Sequence, residues 1–435
     1  MMRDRRSFLR EGAVATAALA AGWRPSWAER LDHALAALPR DAQAVAENEA
    51  FWHDVRQSFT LEPGLVNLNY GYSPSPTAVL VTLERETVRT NRAPLYWGHW
   101  PESATDPRRE DVRRRAAALL GCDPEELALT RSTTEALQIV QLGLDLRRGD
   151  EVLSTSEDYW AMWNTWQQRV HRDGIVYSEV ALSAPYPAPG EILSRFERAI
   201  TPRTRVVLLS HLTFLTGHIM PVRDICRMAR ARGVRTIIDG AHAPGHIPVN
   251  LRALECDYYG TSGQKWLMAP LGTGLLYVRR DLIRELWPLT PAWDNVQNDI
   301  RKFEWVGGQS LAPHVAMADA LIFHERLGTE CKAARLHYLK RRWAERLGQH
   351  PRIRIFTDLA AGRSCGLGSF AIDGIDPAVL ANYLLQRHRI LVFAFGRNQY
   401  EGPPGIRVAP NVFTSVQEID RFADVVETVL RNGLP

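Results

Sequence analysis

The segment CDYYGTSGQKW, residues 256–266, decides the fold because it places one lysine, Lys265, directly after a strand-like apolar run. The segment APLGTGLLYVRR, residues 269–280, predicts a second strand entered through glycines. A lysine buried between two strands is costly unless its ammonium group is paired or chemically used. A desolvated lysine has a lowered pKa and can condense with an aldehyde. The alternative is an ordinary surface lysine at a turn. The choice between these two interpretations depends on the neighbouring segments.

The middle of the chain alternates strand-like and helix-like segments, with apolar runs such as ELALT, DEVLST, TRVVLLSHL and GVRTIIDGAH separated by GEILSRFERAI and VRDICRMARARG. This alternation predicts a mostly parallel sheet with helices on both faces. Ligands of such α/β folds collect at the carboxyl ends of the strands. Five loops are expected to converge there, at residues 129–135, 155–160, 210–217, 239–242 and 261–265.

The first 28 residues have the layout of an export signal. Arg5 and Arg6 precede SFLR, a small-residue apolar run at 13–21, and the small-x-small site SWA at 26–28. The run is too short to span a membrane, and the paired arginines predict a twin-arginine signal and a periplasmic protein. A basic helical N-terminus is the alternative. Residues 1–28 are therefore set apart from the fold.

Charge and cysteine content exclude several classes of function. The chain carries a formal net charge of +4. Residues 1–28 contain five arginines and two acidic residues, so the net charge of the remaining chain is close to zero. This balance predicts no nucleic-acid partner and, after signal removal, no membrane partner. The five cysteines are odd in number and lack a C-x-x-C pair, so they predict neither a zinc site nor a disulfide framework.

Two stretches before the central region are candidates for the wall of a cleft. Asn69 lies in a loop rich in Gly, Pro and Asn, just before a Pro-x-Pro helix start. The segment PLYWGHW, residues 94–100, brings four ring side chains together around Trp97. Such a cluster is typical either of a core or of a pocket wall. Asn69 and Trp97 are therefore candidate substrate contacts.

Polar residues follow several of the predicted strands. Thr133 and Thr134 begin a helix whose free N–H groups suit a phosphate, although a capping box is the ordinary interpretation. Asp239 ends the apolar strand TIIDG, where a carboxylate needs a cationic partner. Asp239, His242 and His246 imitate the spacing of metal ligands, but no further cluster supports them, so no metal site is predicted.

Three motifs together resemble the class V aminotransferase group of pyridoxal phosphate enzymes: TTEA at 133–136, DGAH at 239–242 and SGQKW at 262–266. The resemblance spans about residues 60–430 and is strongest toward isopenicillin N epimerase-like members, which share AITPRTRVVLLSH, DGAHAPGH, CDYYG and KW-x-x-AP-x-GTG. It implies fold type I, with a mostly parallel seven-stranded central sheet and a smaller α+β C-terminal domain. It also implies pyridoxal phosphate as cofactor and a homodimer.

The resemblance assigns a chemical role to several residues. Lys265 would form the Schiff base with the cofactor and then act as general base, and Asp239 would pair with the pyridinium nitrogen. His242 would lie near the ring hydroxyl, and Tyr159 or a neighbour in SEDYW would cover the ring face. Lys265, Asp239 and His242 are thus the predicted catalytic residues.

The same resemblance implies which residues bind the phosphate and the substrate. Thr133 and Thr134 would bind the phosphate at the helix start, joined by Ser262 and Gln264 from the lysine loop. Arg407, in the late strand-like run GIRVAP, matches the arginine that binds a substrate α-carboxylate through two parallel hydrogen bonds. An amino acid is therefore the predicted small-molecule partner.

The sequence departs from the family pattern near the cofactor. Gln264 stands where the family usually has histidine before the lysine, which replaces a titrating side chain with a neutral one. The covering position that is often histidine falls on Glu157 or Asp158. The stacking partner is thus left open between these residues and Tyr159.

Two further positions bear on the reaction. Gly308 stands where a threonine is expected, so a phosphate contact from the partner subunit is missing or is supplied by Gln309 or Ser310. Cysteine desulfurases of the family use a loop cysteine shortly before the carboxylate-binding arginine, whereas Cys365 precedes Arg407 by forty-two residues. Cys365 is therefore interpreted as a structural thiol.

We expect four parts in the chain: a signal at 1–28, a helical segment at 29–60 that joins the small domain, a large cofactor-binding domain at 61–310 and a small α+β domain at 311–435. The predicted function is a pyridoxal phosphate-dependent, epimerase- or aminotransferase-like enzyme acting at the α- or β-carbon of an amino acid. The alternatives are a carbon–sulfur lyase or cysteine desulfurase-like enzyme, a non-catalytic binding or sensor protein, and a nucleotide-binding enzyme that uses the same crevice.

Overall fold

The computed structural model describes residues 41–94, 106–396 and 402–434, so the predicted signal and Trp97 lie outside the described residues. The helices are α1 (Ala42–Ala46), α2 (Glu49–Arg56), α3 (Thr77–Arg92), α4 (Pro107–Leu120), α5 (Thr133–Gly143), α6 (Trp160–Asp173), α7 (Pro189–Ala199), α8 (Val222–Ala231), α9 (Leu251–Leu254), α10 (Ala312–Leu327), α11 (Thr329–Leu347), α12 (Pro377–His388) and α13 (Val416–Asn432). The strands are β1 (Val66–Asn67), β2 (Leu127–Thr130), β3 (Glu151–Thr155), β4 (Val176–Val180), β5 (Thr204–Ser210), β6 (Arg235–Asp239), β7 (Tyr258–Ser262), β8 (Gly274–Val278), β9 (Ile353–Ile355), β10 (Gly368–Ile372), β11 (Ile390–Leu391), β12 (Phe393–Phe395) and β13 (Gly405–Val408).

The large sheet confirms the predicted α/β class. Within the described residues it has seven strands in the order β2-β8-β7-β6-β5-β3-β4, and β8 runs antiparallel to both of its neighbours while the others are parallel. Its central strands are almost entirely buried, with Arg205 of β5 exposed and Arg235 of β6 partly exposed, as the continuous apolar runs predict for a sheet covered on both faces. The carboxyl ends of the parallel strands therefore share one edge, above which a site can form.

Helix α5 begins at that edge, and one glycine allows it to do so. Ser132 caps the helix by accepting a hydrogen bond from the Glu135 N–H. A Cβ atom at Gly274 would lie 2.6 Å from the backbone nitrogen of Ser132. The second glycine of the GTG motif is thus required for β8 to pass directly beneath the start of α5.

A smaller unit follows the large sheet. Its antiparallel sheet has the order β12-β13-β10-β9, and its core contains Trp343, Phe370 and Phe422. The two-residue strand β1 pairs in parallel with β11, which connects the chain before α3 to this unit. The structure therefore agrees with a smaller C-terminal α+β region, as the fold class predicted.

Helix α10 connects the two units. It begins at the predicted domain boundary, residues 310 and 311, yet its buried residues Ala316 and Leu321 pack in the same core as Leu129 and Ile225 of the large unit. Its apolar face is shared with α3 and α4. The division of the chain at residue 311 stays a prediction, and it falls just before α10, a helix that packs in the core of the large unit.

The described part of the N-terminal helical segment forms two short helices, α1 and α2, with Asn48 as the cap of the second. Arg335 of α11 is fully buried and donates to the carbonyl oxygens of Ala46 and Thr414. Arg56 forms a salt bridge with Glu418 at the start of α13. This segment therefore packs against helices of the C-terminal region. In the ranges that the structure describes, none of the helices has the length and hydropathy to cross a bilayer.

A buried ion-pair cluster holds β2 in place. Glu304 accepts hydrogen bonds from the guanidinium groups of Arg109 (2.7 Å) and Arg113 (2.5 Å) and from the Leu129 N–H (2.8 Å). Burial opposes ionisation, but the two guanidinium groups prevail and hold the pKa of Glu304 below its ordinary value. The carboxylate is therefore charged at neutral pH and ties α4 to the strand that precedes α5.

We expect Glu304→Gln to lower the free energy of unfolding by about 3 kcal/mol, because the buried guanidinium groups of Arg109 and Arg113 both lose this carboxylate as a partner, although Arg113 keeps its salt bridge to Glu110. Since the pKa of Glu304 is lower in the folded state, its stabilising effect is present above the ordinary carboxyl range and is lost as pH falls through the folded value. Denaturant titrations from pH 7 to pH 3 measure this. Exposed Glu191→Gln is the control and should leave stability nearly unchanged, and an equally small effect of Glu304→Gln would contradict the prediction.

Candidate active site

A cavity of about 480 Å³ lies at the carboxyl ends of the large sheet. All five predicted loops contribute to its wall, and further residues come from the segment before α3 and from the small unit. The residues that line the cavity include Asn69, Gly71, Tyr72, Thr133, Thr134, Tyr159, Trp160, Phe214, Asp239, His242, Ser262, Gln264, Lys265, Phe393 and Arg407. The structure thus brings together the predicted site residues that it describes.

Lys265 lies half-buried just beyond β7, with Nζ 3.3 Å from Nε2 of His242. Burial lowers the pKa of Lys265 to about 8, with Asp239 acting in the opposite direction and Arg407 in the same direction. A substantial fraction of the side chain is therefore the neutral amine near pH 8, which is the nucleophilic form.

Asp239 ends β6 beside this lysine and is only 5% exposed. One carboxylate oxygen accepts from the Ala241 N–H at 2.9 Å. Burial raises the pKa of Asp239, while the positive charge of Lys265 acts to lower it. The negative charge of this buried carboxylate is only weakly balanced by its neighbours, so the carboxylate is suited to bind a cationic group that enters the cavity.

The start of α5 and the end of β7 form a cradle of polar donors. The Thr133 N–H donates to Ser262 Oγ at 2.9 Å, and the two hydroxyl oxygens lie 2.6 Å apart. Thr134 lines the cavity beside them, and the buried Gln264 Oε1 has no partner in the described part of the chain. An amide presents a donor at that position after a flip. These residues and the positive end of α5 fit a phosphate group.

Arg407 closes the opposite end of the cavity. One guanidinium nitrogen donates to the Phe214 carbonyl at 3.0 Å and the other to Asn69 Oδ1 at 2.7 Å. The guanidinium group lies 4.8 Å from the ring centroid of Phe393, and a Cβ at Gly71 would come within 2.9 Å of it. The side chain is thus fixed, with donors left for a carboxylate. Burial lowers the pKa of Arg407 to about 10, opposed by Cys365, which leaves it charged at neutral pH.

Aromatic side chains form the wall on the side of α6. Tyr159 occupies the N-cap position of this helix, and its ring meets the Phe214 ring edge to face with centroids 5.6 Å apart. Trp160 and Tyr72 also line the cavity and remain exposed. Tyr159 therefore lies where the sequence placed it, at the cavity.

The two acidic alternatives to Tyr159 are engaged elsewhere. Glu157 is buried and accepts a hydrogen bond from the Tyr186 hydroxyl. Asp158 accepts from the N–H and hydroxyl groups of both Thr155 and Ser210, and burial raises its pKa to about 7. In this structure, these contacts hold both carboxyl groups away from the cavity lining.

Other candidate positions lie away from the cavity. Nε2 of His246 accepts a hydrogen bond from the Gly366 N–H, and His246 is not among the described residues that line the cavity. Among the described residues, no group of three or more His, Cys, Asp or Glu side chains could hold a metal ion. Gly308 lies in an exposed turn and is not among the described residues that line the cavity. Cys365 is buried, and burial raises its thiol pKa to about 11 despite the opposing effect of Lys340.

Sequence reasoning missed two contacts of Arg407 and one of His242. Phe393 and the Phe214 carbonyl hold Arg407, and the indole N–H of Trp266 donates to Nδ1 of His242 at 3.1 Å. The signal for Trp266 was present, because it directly follows Lys265. The other two contacts join distant segments and leave no local pattern.

The fold and the site define the class of the protein: a fold type I enzyme with a lysine, a buried carboxylate and a phosphate cradle around one cavity. The sequence profile described as Aminotransferase class-V matches residues 66–420, and the chain belongs to this family. The family depends on pyridoxal phosphate, which is therefore the cofactor of this chain. Its phosphate fits the cradle of Thr133 and Ser262, and its aldehyde fits the amine of Lys265.

Relatives carry more than one activity. The chain is 31% identical to isopenicillin N epimerase of Streptomyces clavuligerus over 407 residues, covering 87% of this chain and 98% of the relative. It is 27% identical to a probable cysteine desulfurase of Vibrio cholerae, covering 72% and 80% of the two chains. Among solved structures, the cystine C–S lyase C-DES with its product cysteine persulfide aligns with a TM-score of 0.75 at 24% identity, covering 84% of this chain and 97% of that chain.

Proposed function

We propose that this class V enzyme acts at the α- or β-carbon of an amino acid, with Lys265 as the attachment residue and the general base. The observation that carries the proposal is the half-buried Lys265 amine, its pKa lowered to about 8, in the same cavity as Arg407. An epimerase-like proton transfer is the reaction we favour, because the similarity to the Streptomyces epimerase extends over nearly the whole relative.

Each residue has a defined task in this proposal. Bound pyridoxal phosphate supplies an electron-withdrawing ring that stabilises negative charge on the carbon beside the substrate amino group. Asp239 keeps that ring protonated at nitrogen, and Arg407 holds the substrate carboxylate so that the α-carbon is oriented. Lys265, once free of the cofactor, would take the α-proton through Nζ, and epimerisation requires that a proton then be returned to the opposite face of the same carbon. His242 would adjoin the ring hydroxyl.

A carbon–sulfur lyase or desulfurase-like reaction is the second candidate, supported by the relatives from Vibrio cholerae and by C-DES. Its weakness is Cys365, which is buried, has a raised thiol pKa and lies outside the cavity lining formed by described residues. A persulfide carried on a mobile cysteine needs an accessible thiolate. A lyase that needs no enzyme cysteine remains compatible with the cavity. A non-catalytic binding protein is the third candidate.

The deciding experiment incubates the cofactor-loaded enzyme with single amino acids in ²H₂O. Epimerisation predicts deuterium at Cα with loss of optical activity, and transamination predicts a keto acid. Elimination from cysteine or cystine predicts sulfide or persulfide with pyruvate. Deuterium incorporation in wild type and its absence in Lys265→Ala would support the proposal. No exchange with any of the protein amino acids would overturn it in favour of a binding protein.

We expect Arg407→Lys to raise the KM for the amino acid about 10- to 100-fold, with a smaller effect on kcat. Lysine keeps the charge but loses the two-pronged contact, and a hydrogen bond to a charged group contributes about 1.5–3 kcal/mol. Steady-state kinetics with the best amino acid measure this. Exposed Arg198→Lys is the control and should behave as wild type. A loss of kcat at unchanged KM would contradict carboxylate binding by Arg407.

We also propose that the enzyme is a homodimer. Apolar side chains are exposed around the loop before α3 and the loop before β8, with Tyr72, Leu80, Val81 and Leu271 between 42% and 71% exposed. A second copy that covers this face would bury them beside the cavity mouth. Light scattering should give twice the chain mass for wild type and a smaller mass for Leu271→Asp.

Export of the folded enzyme to the periplasm is the third part of the proposal, and it rests on Arg5 and Arg6 with the apolar run that follows. Cell fractionation of wild type and an Arg5→Lys, Arg6→Lys variant tests it. Equal amounts of both proteins in the periplasm would contradict twin-arginine export.

A further inference from the structure

Trp266 connects the lysine loop to the histidine beside it. It directly follows Lys265, is fully buried, and donates its indole N–H to Nδ1 of His242 at 3.1 Å. An indole nitrogen is a donor only. Nδ1 of His242 must therefore be the unprotonated, accepting nitrogen whenever this hydrogen bond is formed.

The protonation state of His242 makes this contact decisive. Burial lowers the pKa of His242 well below its ordinary value, and the positive charges of Lys265 and Arg407 and the neighbouring His246 act in the same direction. A neutral imidazole carries one proton, and with Nδ1 accepting, that proton is on Nε2. Nε2 is the atom that lies 3.3 Å from Nζ of Lys265.

This arrangement discriminates between the two forms of Lys265. A neutral amine has a lone pair that accepts the Nε2–H, whereas an ammonium group has only donors and would face another donor. Burial of Lys265 acts in the same direction, and Asp239 is the charged group that opposes it. The hydrogen bond from Trp266 thus favours the amine that must attack an aldehyde.

Trp266 is held firmly enough for this purpose. The His246 ring packs on the indole with centroids 3.7 Å apart. Nζ of the buried Lys332 donates to the Trp266 carbonyl at 2.7 Å and lies 3.2 Å from Nδ1 of His324. Burial lowers the pKa of Lys332 to about 7, with an opposing effect of Cys331, and Lys332 and Lys340 both disfavour a charged His246. The indole is therefore fixed through both its ring and its backbone.

We propose that Trp266 is a positioning residue that locks His242 in the Nε2–H tautomer and so presents Lys265 as an amine ready to bind pyridoxal phosphate. The inference deepens the proposed function and rests on it for the role of Lys265. The tautomer itself is independent of any reaction and can be read in the cofactor-free protein.

The first test is a long-range ¹H–¹⁵N NMR spectrum of the full-length, cofactor-free protein labelled at histidine. The His242 signals are assigned by their loss in His242→Gln. We expect Nδ1 of His242 to be unprotonated and Nε2 to carry the proton in wild type, and a mixture of tautomers in Trp266→Phe. A proton on Nδ1 in the wild-type protein would overturn the proposal without any need for the Trp266→Phe protein.

The second test measures the pKa of Lys265 from the pH dependence of the rate at which pyridoxal phosphate attaches. In Trp266→Phe, His242 no longer accepts the indole N–H and can carry its proton on Nδ1. Its Nε2 lone pair can then accept a hydrogen bond from an ammonium group, so the pKa of Lys265 should rise by at least about half a unit. The matched control is Trp343→Phe, which also removes a fully buried indole but one whose N–H has no partner among the described residues. This control should leave the pKa unchanged.

A double-mutant cycle separates this role from a structural one. If Trp266 acts through His242, Trp266→Phe should produce no further shift of the Lys265 pKa in the His242→Gln background. A shift of full size there would overturn the proposal. Wild-type attachment at Lys265 with no Trp266 effect would reject the tautomer lock alone, whereas no attachment in wild type would reject the proposed function.

Discussion

Lys265→Ala should abolish covalent attachment of pyridoxal phosphate and lower kcat/KM by at least about 10³-fold. In the proposed function the substitution removes both the attachment atom and the general base, and proton transfer by a positioned base alone contributes about 10²–10⁴-fold. The two losses should coincide because the proposal assigns both tasks to a single nitrogen, Nζ, at the edge of the sheet.

Borohydride reduction followed by peptide mapping measures this directly, since the cofactor becomes fixed to the lysine that bound it. The matched control is Lys302→Met, because Lys302 is also buried and burial lowers its pKa to about 8, yet it lies outside the cavity. We expect full attachment in this control and none in Lys265→Ala. Cofactor recovered on another lysine of the wild-type protein would contradict the assignment.

Asp239→Asn should lower kcat/KM by about two to three orders of magnitude while leaving the cofactor bound. A protonated ring nitrogen beside a buried amide lacks its counter-charge, and loss of one partner of a buried ion pair costs about 3–5 kcal/mol. The backbone hydrogen bond from Ala241 can still be accepted by the asparagine oxygen. The geometry of the β6 end should therefore be retained.

The same substitution should make the cofactor-free protein more stable at pH 7. The pKa of Asp239 is raised by burial in the folded state, so its ionisation opposes folding above the ordinary carboxyl range, and this penalty disappears at lower pH. Thermal unfolding of both proteins between pH 4 and pH 7 measures the difference. The control is Asp257→Asn at the opposite end of β7, where a salt bridge to Arg279 is lost and stability should fall. An Asp239→Asn protein that is less stable than wild type at pH 7 would contradict a raised pKa of Asp239 in the folded state.

The sequence predicts the sheet well because it depends on local patterns, and the structure places the predicted phosphate-binding residues Thr133 and Ser262 in contact. Apolar runs of strand length determine β5, β6 and β7, and the order of the chain places Thr133, Asp239 and Lys265 at the ends of such runs. Motif resemblance then supplies the chemical roles.

The parts that sequence reasoning could not predict depend on contacts between distant segments. The reversed direction of β8 goes with its connection to β7, residues 263–273, which contains no crossover helix and turns the chain back beside β7. The tautomer of His242 depends on where the Trp266 ring points, and the hydrogen bonds of Asp158 depend on Ser210 of another strand. Side-chain direction of this kind is decided by packing.

The hydrogen bond between Asn69 and Arg407 joins residues 338 positions apart in the chain. During synthesis, Arg407 leaves the ribosome only when nearly the whole polypeptide has been made. The end of the cavity that contains Asn69 and Arg407 is therefore assembled last. The cradle around Thr133 and Ser262, in contrast, can form once β8 has been synthesised. Under the proposed function, the part of the cavity that would hold the cofactor phosphate could therefore form before the part that would hold the substrate carboxylate.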